Sequence, residues 1–414
     1  MNTSKTPFSS NTFIYTWKKH FLNKKNISTF NYIKGVSFYK NKFSTYFNIG
    51  RNLTKGNNYS FQDTEDYKNK TFVIFDVLPN NLLFQHKKPK SLGLLKSTQY
   101  PGFLVELDKF ENIKNYLNTK FSNKTRMKIR RYNKRLDTCF NISCKMFFGD
   151  ISKSDYDSIF DHFLYLMKKR YTEKKEYCNN IQSSEWNFYK DVAYPLILEK
   201  KASLFVIYNN SQPIAVTYNY HEDSTVIEAI KVYDTDYSKF NIGFINNLKL
   251  IEWCFENNVK KFDFSKGYFD YKKRFSTLEY DFEYHILYDK NSIISKIKAF
   301  VYYCFFESKK FLRTKNLDKK LNRLIYNLKY NNKESIPKFD IKKIDTIPSA
   351  EHLEKINMVD TDLEIFSYLK KNIHDFQYLA AKPIEEINFY KVKNENNTFI
   401  FSSDTLIYHV TLQS

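Results

Sequence analysis

The sequence predicts an α+β (mixed α/β) fold: a mixed central sheet flanked by helices, followed by a small C-terminal α+β domain. Three observations predict it. Ala202–Tyr208, Pro213–His221 and Thr225–Tyr233 read as successive strands, the first two joined by the polar turn Asn209-Asn210-Ser211-Gln212. After Tyr233 the hydrophobic period changes from 2 to 3.6, with Ile245, Leu248, Ile251 and Phe255 on one stripe, and a short strand, Lys261–Phe264, follows. A strand–helix–strand unit joined to an antiparallel meander makes a mixed sheet covered by helices. From Pro337 onward nine Lys stand against twelve Asp and Glu, a net of −3, which leaves +24 for residues 1–336 and marks a domain boundary.

The remaining elements follow in order. Phe13–Leu22 is helix-like, and the rest of the first 60 residues is rich in Lys, Asn, Ser and Tyr with weak periodicity, so partly irregular structure is expected. Thr71–Leu78 and Gly102–Leu107 read as buried strands, punctuated by Pro79 and Pro101. Residues 108–136 look helical. Asp155–Tyr171 and Glu185–Leu198 carry apolar residues at helical spacing, the second with Pro195 inside it, where a kink is expected. Phe282–Tyr288 is a further strand and residues 291–332 are basic and helix-forming. In the tail, 350–371 is helix-like, and Asn388–Val392, Thr398–Ser402 and Thr405–Leu412 suggest an antiparallel meander.

At 414 residues the chain exceeds the ~100 to 200 residues usual for one domain, and 42% apolar composition supplies ample core material. The net charge of +21 points toward polyanions, yet only nine of the 66 basic residues are Arg, so the excess reads as background composition as much as selection. Arginine is the better marker of functional charge because its rigid fork binds phosphates and carboxylates bidentately. Four of the nine, Arg126, Arg130, Arg131 and Arg135, lie in one helical segment and form a broad basic surface for substrate or polyanion binding; the alternative is a solvated basic face.

Several classes are unsupported. Five cysteines without CxxC spacing argue against a disulfide framework or zinc site, and eight scattered histidines argue against a metal; His221 reads as structural. There is no GxxxxGK loop, no GxGxxG after a strand and no GxSxG elbow. The first 25 residues hold no apolar core of signal-peptide length, and the longest apolar run, Ala299–Phe306, is far short of the ~20 residues a membrane helix needs. A cytoplasmic protein without a transmembrane segment is expected.

Four segments, Asn210–Val216, Tyr233–Trp253, Phe262–Phe275 and Asn123–Leu136, together carry a resemblance to the GNAT superfamily of acyltransferases, in its CelD/BcsL (cellulose-biosynthesis-type) and FemAB-like branch. Asn210–Val216, NSQPIAV, resembles the family's turn and Pro-Ile-Ala strand. Tyr233–Trp253 resembles the loop and helix that cradle pyrophosphate, with Gly243 the one glycine kept. Phe262–Phe275, FDFSKGYFDYKKRF, resembles its Asp strand, Gly, Tyr-Lys signature, and Asn123–Leu136 resembles the basic helix ahead of the domain. The resemblance covers residues 100–290. It implies two GNAT-like halves: residues 1–120 as a degenerate N-terminal half and 121–290 as the acyltransferase core with its leading basic helix. A basic helical linker (291–335) and a small acidic domain (336–414) follow.

By resemblance the acyl donor is acetyl-CoA, with no metal, and the acceptor is an amine or hydroxyl on a cell-envelope sugar or polysaccharide precursor. Backbone amides of Asn241, Ile242, Gly243 and Phe244 at a helix N-terminus would hold its pyrophosphate, with Gly267 also on the cofactor side; the alternative is an ordinary strand-to-helix turn. Alternation puts Glu228 on the face of Val226, Ile230 and Val232, where desolvation would suit it to take a proton from the acceptor, unless it is a paired structural acid. Tyr271 would protonate the departing thiolate, Lys272 would stand near the carbonyl oxygen, and Asp263 would orient Lys266 or substrate; the alternative is a surface aromatic-basic turn. Two other readings stand beside this one. A FemAB-like transferase would take its donor from aminoacyl-tRNA, and a non-enzymatic basic protein would bind nucleic acid or an anionic membrane surface.

Overall fold

One twisted sheet of eleven strands runs through most of the chain among the described residues. The computed structural model describes residues 6–23, 26–79, 88–315, 317–329, 338–356, 364–395 and 397–413. The expected boundary at Pro337, and 357–363 of the expected helix 350–371, lie outside them.

Helix α1 (Asn11–Phe21) precedes the short strands β1 (Ile27–Ser28), β2 (Ile33–Lys34), β3 (Phe38–Lys40), β4 (Tyr46–Asn48) and β5 (Ser60–Phe61). These brief pairings fit the weak periodicity of that stretch. Strand β6 (Thr71–Val77) is buried throughout, as its branched and aromatic content requires, and β7 (Leu92–Glu106) begins ten residues before the expected Gly102. The expected helix 108–136 is two helices, α2 (Ile113–Lys120) and α3 (Asn123–Cys139), because Ser122 caps the second by accepting from the Thr125 amide. Strand β8 (Ile142–Phe147) was not expected; five of its six side chains are not buried, so it lacks an apolar run.

The centre follows the sequence closely. Helices α4 (Lys153–Lys174) and α5 (Ser183–Leu198, with Pro195 inside) lead to β9 (Ala202–Asn209), β10 (Gln212–Glu222) and β11 (Thr225–Tyr233), then α6 (Ile242–Glu256), β12 (Lys261–Lys266), α7 (Asp270–Phe275) and β13 (Leu278–Asp289). Helices α4 and α5 cover one face of the sheet with Phe160, Phe163, Trp186 and Tyr189, and α2, α3 and α6 cover the other with Tyr116, Ile129, Ile245 and Ile251.

Strand order is what local periodicity cannot give. β7 lies between β12 and β13 and pairs antiparallel with both, Val105 opposite Phe262 and Leu104 opposite Leu278. The N-terminal segment therefore completes the same sheet as the core. Among the described residues the strands lie in the order β1-β3-β4-β6-β13-β7-β12-β11-β10-β9-β8, and two pairs in this sheet are parallel, β4 with β6 and β11 with β12.

Beyond α8 (Ile293–Thr314) and α9 (Leu317–Lys329) come β14 (Lys338–Lys343), β15 (Leu353–Ile356), β16 (Asn388–Val392), β17 (Thr398–Ser402) and β18 (Ile407–Gln413). They form a second sheet in the order β14-β18-β17-β16-β15. Helix α10 (Glu364–Ala380) covers it, closing a separate small core around Ile373, Phe376 and Phe401. Residues 353–356 are thus strand where helix was expected.

Candidate functional site

Strands β11 and β12 pair over three residues, Thr225 with Lys261, Val226 with Phe262 and Ile227 with Asp263, and no further pairing joins them. Their C-terminal halves flank a polar cluster buried beside α6 and α7. Glu228 follows the last paired residue. Across from it β10 shifts register, Asn219 facing Glu228 and Tyr218 facing Ile230, so Ala229 is the extra residue of a β-bulge. The bulge reverses the alternation expected from sequence: Ile230 and Val232 pack on the α4–α5 side, while Glu228 stays with Val226 on the α6 side.

That reversal brings Lys231 beside Glu228. Lys231 Nζ lies 3.1 Å from Glu228 Oε2 and 2.5 Å from Asn247 Oδ1 of α6, and both charged side chains are more than nine-tenths buried. Tyr271 of α7 donates to the other oxygen, Oε1, at 3.1 Å, with its ring 4.1 Å from Lys231 Nζ. Burial, then the neighbouring Glu228, holds the Tyr271 phenol well above its usual range. Burial also lowers the Lys231 ammonium, with Glu228 opposing that shift. The structure thus joins two of the expected residues, Glu228 and Tyr271, and adds Lys231, which sequence reasoning missed. The signal was a Glu and a Lys, the only charged residues in TVIEAIKVY.

Lys272 is buried and donates to the carbonyls of Phe264 at 2.6 Å and Lys266 at 2.8 Å. It ties α7 to the end of β12, and lost hydration lowers it to about 8. Gly267 makes the connection with φ +129; a Cβ there would meet the Phe269 ring at 3.0 Å. Asp263 points to the opposite face of β12. It accepts from Tyr280 Oη at 2.5 Å and from the Ser265 amide at 2.7 Å, and burial raises it to about 6. It does not orient Lys266, which pairs instead with Asp76 of β6 and donates to the Asn52 carbonyl at 2.8 Å.

Lys266 introduces a second group of charges, drawn from segments far apart in the sequence. Asp76 is fully buried, and one of its carboxylate oxygens has no hydrogen-bond partner among the described residues. Lost hydration brings Lys55 down to about 7 and raises Asp76 and Glu185. Glu185, Asn52, Arg51 and Trp17 line a cavity of about 250 Å³. Local sequence gave no sign of this group beyond one acid in the apolar run TFVIFDVL.

At the start of α6, two of the four expected anion donors are not available. The Asn241 amide donates to the Ser238 carbonyl at 2.9 Å, and the Phe244 amide to the Asn241 carbonyl at 2.9 Å, closing the first turn. Ile242 and Gly243 keep amides without a partner among the described residues, and no side chain caps this end. Gly243 is required here: a Cβ would lie 2.5 Å from the Tyr233 ring, over which Arg170 stacks at 4.3 Å. Arg170 is a second residue the sequence reading passed over. The preceding turn carries Asp234 and Asp236, each 2.6 Å from Lys169. Helix α10 packs on it through His374, 4.4 Å from the Tyr237 ring, and Tyr378, 5.2 Å from Phe240.

The arginine cluster divides. Arg126 donates to the carbonyls of Asn118 at 3.0 Å and Phe121 at 2.8 Å, closing the end of α2. Arg135 bonds the Tyr378 carbonyl and stacks on its ring at 4.5 Å, holding α10 to α3. Arg130 and Arg131 are exposed. His221 is structural, 2.8 Å from Ser203 Oγ and stacked on Phe148. Among the described residues, no group of three or more His, Cys, Asp or Glu side chains could hold a metal ion.

No curated protein matches the chain in sequence. Several solved structures resemble it in shape at low identity. FemX is 11% identical, with 68% of this chain and 92% of that one covered and a TM-score of 0.44. The C-terminal domain of a putative lysylphosphatidylglycerol synthetase from Agrobacterium fabrum is 9% identical (68% and 88% covered, TM-score 0.41). A GCN5-related N-acetyltransferase from Kribbella flavida is 8% identical (69% and 96%, TM-score 0.31). In sequence, residues 123–273, from α3 into α7 and including Glu228, Lys231, Gly243 and Tyr271, match the family model of the acetyltransferase (GNAT) domain.

Proposed function

We propose that the chain is an acyl-CoA-dependent N- or O-acyltransferase. Acetyl-CoA is the proposed donor, and an amine or hydroxyl on a cell-envelope sugar or polysaccharide precursor the proposed acceptor. The observation that carries this reading is the parting of β11 and β12 beyond Ile227 and Asp263, with Glu228 and Tyr271 hydrogen-bonded beside the gap. The pantetheine arm of acetyl-CoA, laid between the strands, would run from the free Ile242 and Gly243 amides and Arg170, which suit its pyrophosphate, and bring the thioester to that pair.

Transfer is direct. The acceptor nitrogen or oxygen attacks the thioester carbonyl while Glu228 takes its proton, and an amide at the Ala229 bulge, where the ladder is interrupted, stabilises the oxyanion. As the carbon–sulfur bond breaks, Tyr271 gives its proton to the sulfur and receives the one held on Glu228. The proton count balances and both groups return to their starting forms. Lys231 holds the Glu228 carboxylate in place from its second oxygen, and Lys272 fixes α7.

The test is calorimetric titration of the full chain with acetyl-CoA, for wild type and Arg170→Gln. Micromolar binding weakened about tenfold in the variant is expected. No heat from acetyl-CoA, alongside salt-sensitive binding of tRNA, would overturn the acyl-CoA reading in favour of an aminoacyl-tRNA donor.

A further inference from the structure

Helix α8 is apolar on two opposite sides. Inward, Ala299 and Phe306 are buried in the core and Tyr302 packs on Phe47 at 5.6 Å. Outward, Ile293, Ile297, Phe300, Val301, Phe305 and Phe311 recur at helical spacing and are each more than half exposed. Helix α9 continues the pattern with Leu317, Leu321, Leu324 and Leu328, from 43% to 84% exposed. Single exposed leucines are ordinary; a stripe running along two consecutive helices is not.

Charge selects the occupant. Residues 293–329 hold ten Lys and Arg against two acids, Glu307 and Asp318. Glu307 accepts from Ser97 Oγ of β7 at 2.6 Å, so α8 turns its one carboxylate toward the sheet. Lys296, Lys309, Lys315, Lys320 and Arg323 remain exposed along the two helices. A second copy of this face would set like charges against each other. An anionic bilayer meets both features, taking apolar side chains at the acyl boundary and cations at the headgroups. Among the described residues no helix is long and apolar enough to cross a membrane, so the contact lies in the interface plane.

We propose that α8 and α9 seat this protein on the surface of an anionic lipid bilayer. The contact adjoins the transfer site. Arg313, at the end of α8, donates to Tyr100 Oη at 2.9 Å and to the Gln99 carbonyl at 3.1 Å. Tyr268, which follows Gly267 and is 60% exposed, bonds the same carbonyl at 3.4 Å.

The test is co-sedimentation of the full chain with phosphatidylcholine vesicles, with and without phosphatidylglycerol. Expected is binding to the phosphatidylglycerol vesicles, at least about tenfold weaker without that lipid or at high salt. The exposed double substitution Phe300→Asp with Leu324→Asp should release the protein while leaving its circular dichroism and oligomeric state unchanged. The proposal is overturned if wild type stays in the supernatant with phosphatidylglycerol vesicles, or if the double variant sediments as wild type does. A wild-type dimer in vesicle-free buffer that the double variant dissolves would also overturn it, by giving the face to a second copy.

Discussion

Tyr271 donates a hydrogen bond to Glu228 at 3.1 Å, joining the first turn of α7 to the strand from which β12 has just parted. This bond couples the proposed proton acceptor to the proposed proton donor, so deleting the phenol should affect chemistry more than binding. Tyr271→Phe is expected to lower kcat by about 10² to 10⁴, the range for one general acid, with acetyl-CoA affinity within about twofold of wild type. Steady-state kinetics with an identified acceptor checks this. Unchanged kcat would remove Tyr271 from the mechanism.

The second oxygen of Glu228 is held by Lys231, and the pair is almost wholly buried. Removing one partner leaves an uncompensated charge, so Lys231→Met should cost about 3–5 kcal/mol in unfolding free energy. Glu228→Gln with Lys231→Met should recover most of that loss, because no buried charge is left. Urea denaturation of wild type and the two variants decides; a double variant as unstable as Lys231→Met alone would mean that packing, and not charge, sets the cost.

The contrast between these two contacts marks what the sequence could tell. Glu228 and Tyr271 were expected in one site from the resemblance of the strands, glycine and helix that carry them to the GNAT core, while local pattern placed each element. Lys231 was not, because alternation sends residues 228 and 231 to opposite faces and only the bulge at Ala229, an unremarkable residue, reverses that. β7 between β12 and β13, and Lys266 on Asp76, depend on pairing between segments more than 150 residues apart, which no local period encodes. Arg126 and Arg135 were placed on a helix correctly, but the carbonyls they bond lie outside it, at the end of α2 and on α10.

Gly243 lies against the Tyr233 ring, where a methyl would sit 2.5 Å from the nearest ring carbon. Gly243→Ala must displace the ring, at a cost of about 1–3 kcal/mol typical of overpacking. The loss should shrink when Tyr233→Leu is added, because the smaller side chain vacates that space. Thermal unfolding of the single and double variants measures this, and equal losses in both backgrounds would show that the close contact is not what requires glycine.

Asp263 titrates near 6 instead of the ordinary 3.8, because burial penalises its charge more than Tyr280 and the Ser265 amide favour it. Between those values the folded chain holds a proton that the unfolded chain has released. Stability therefore falls as pH rises from about 4 to 6 by an amount on the order of 3 kcal/mol for this group, and is flat above. Asp263→Asn cannot ionise. Relative to wild type, it should gain stability across that window and keep the gain at pH 7, provided the amide oxygen still accepts from the Ser265 amide. Denaturation midpoints at pH 4 and pH 7 supply the comparison: a wild-type-minus-variant difference that does not change with pH would mean that Asp263 is already ionised throughout, with Tyr280 and Ser265 outweighing its burial.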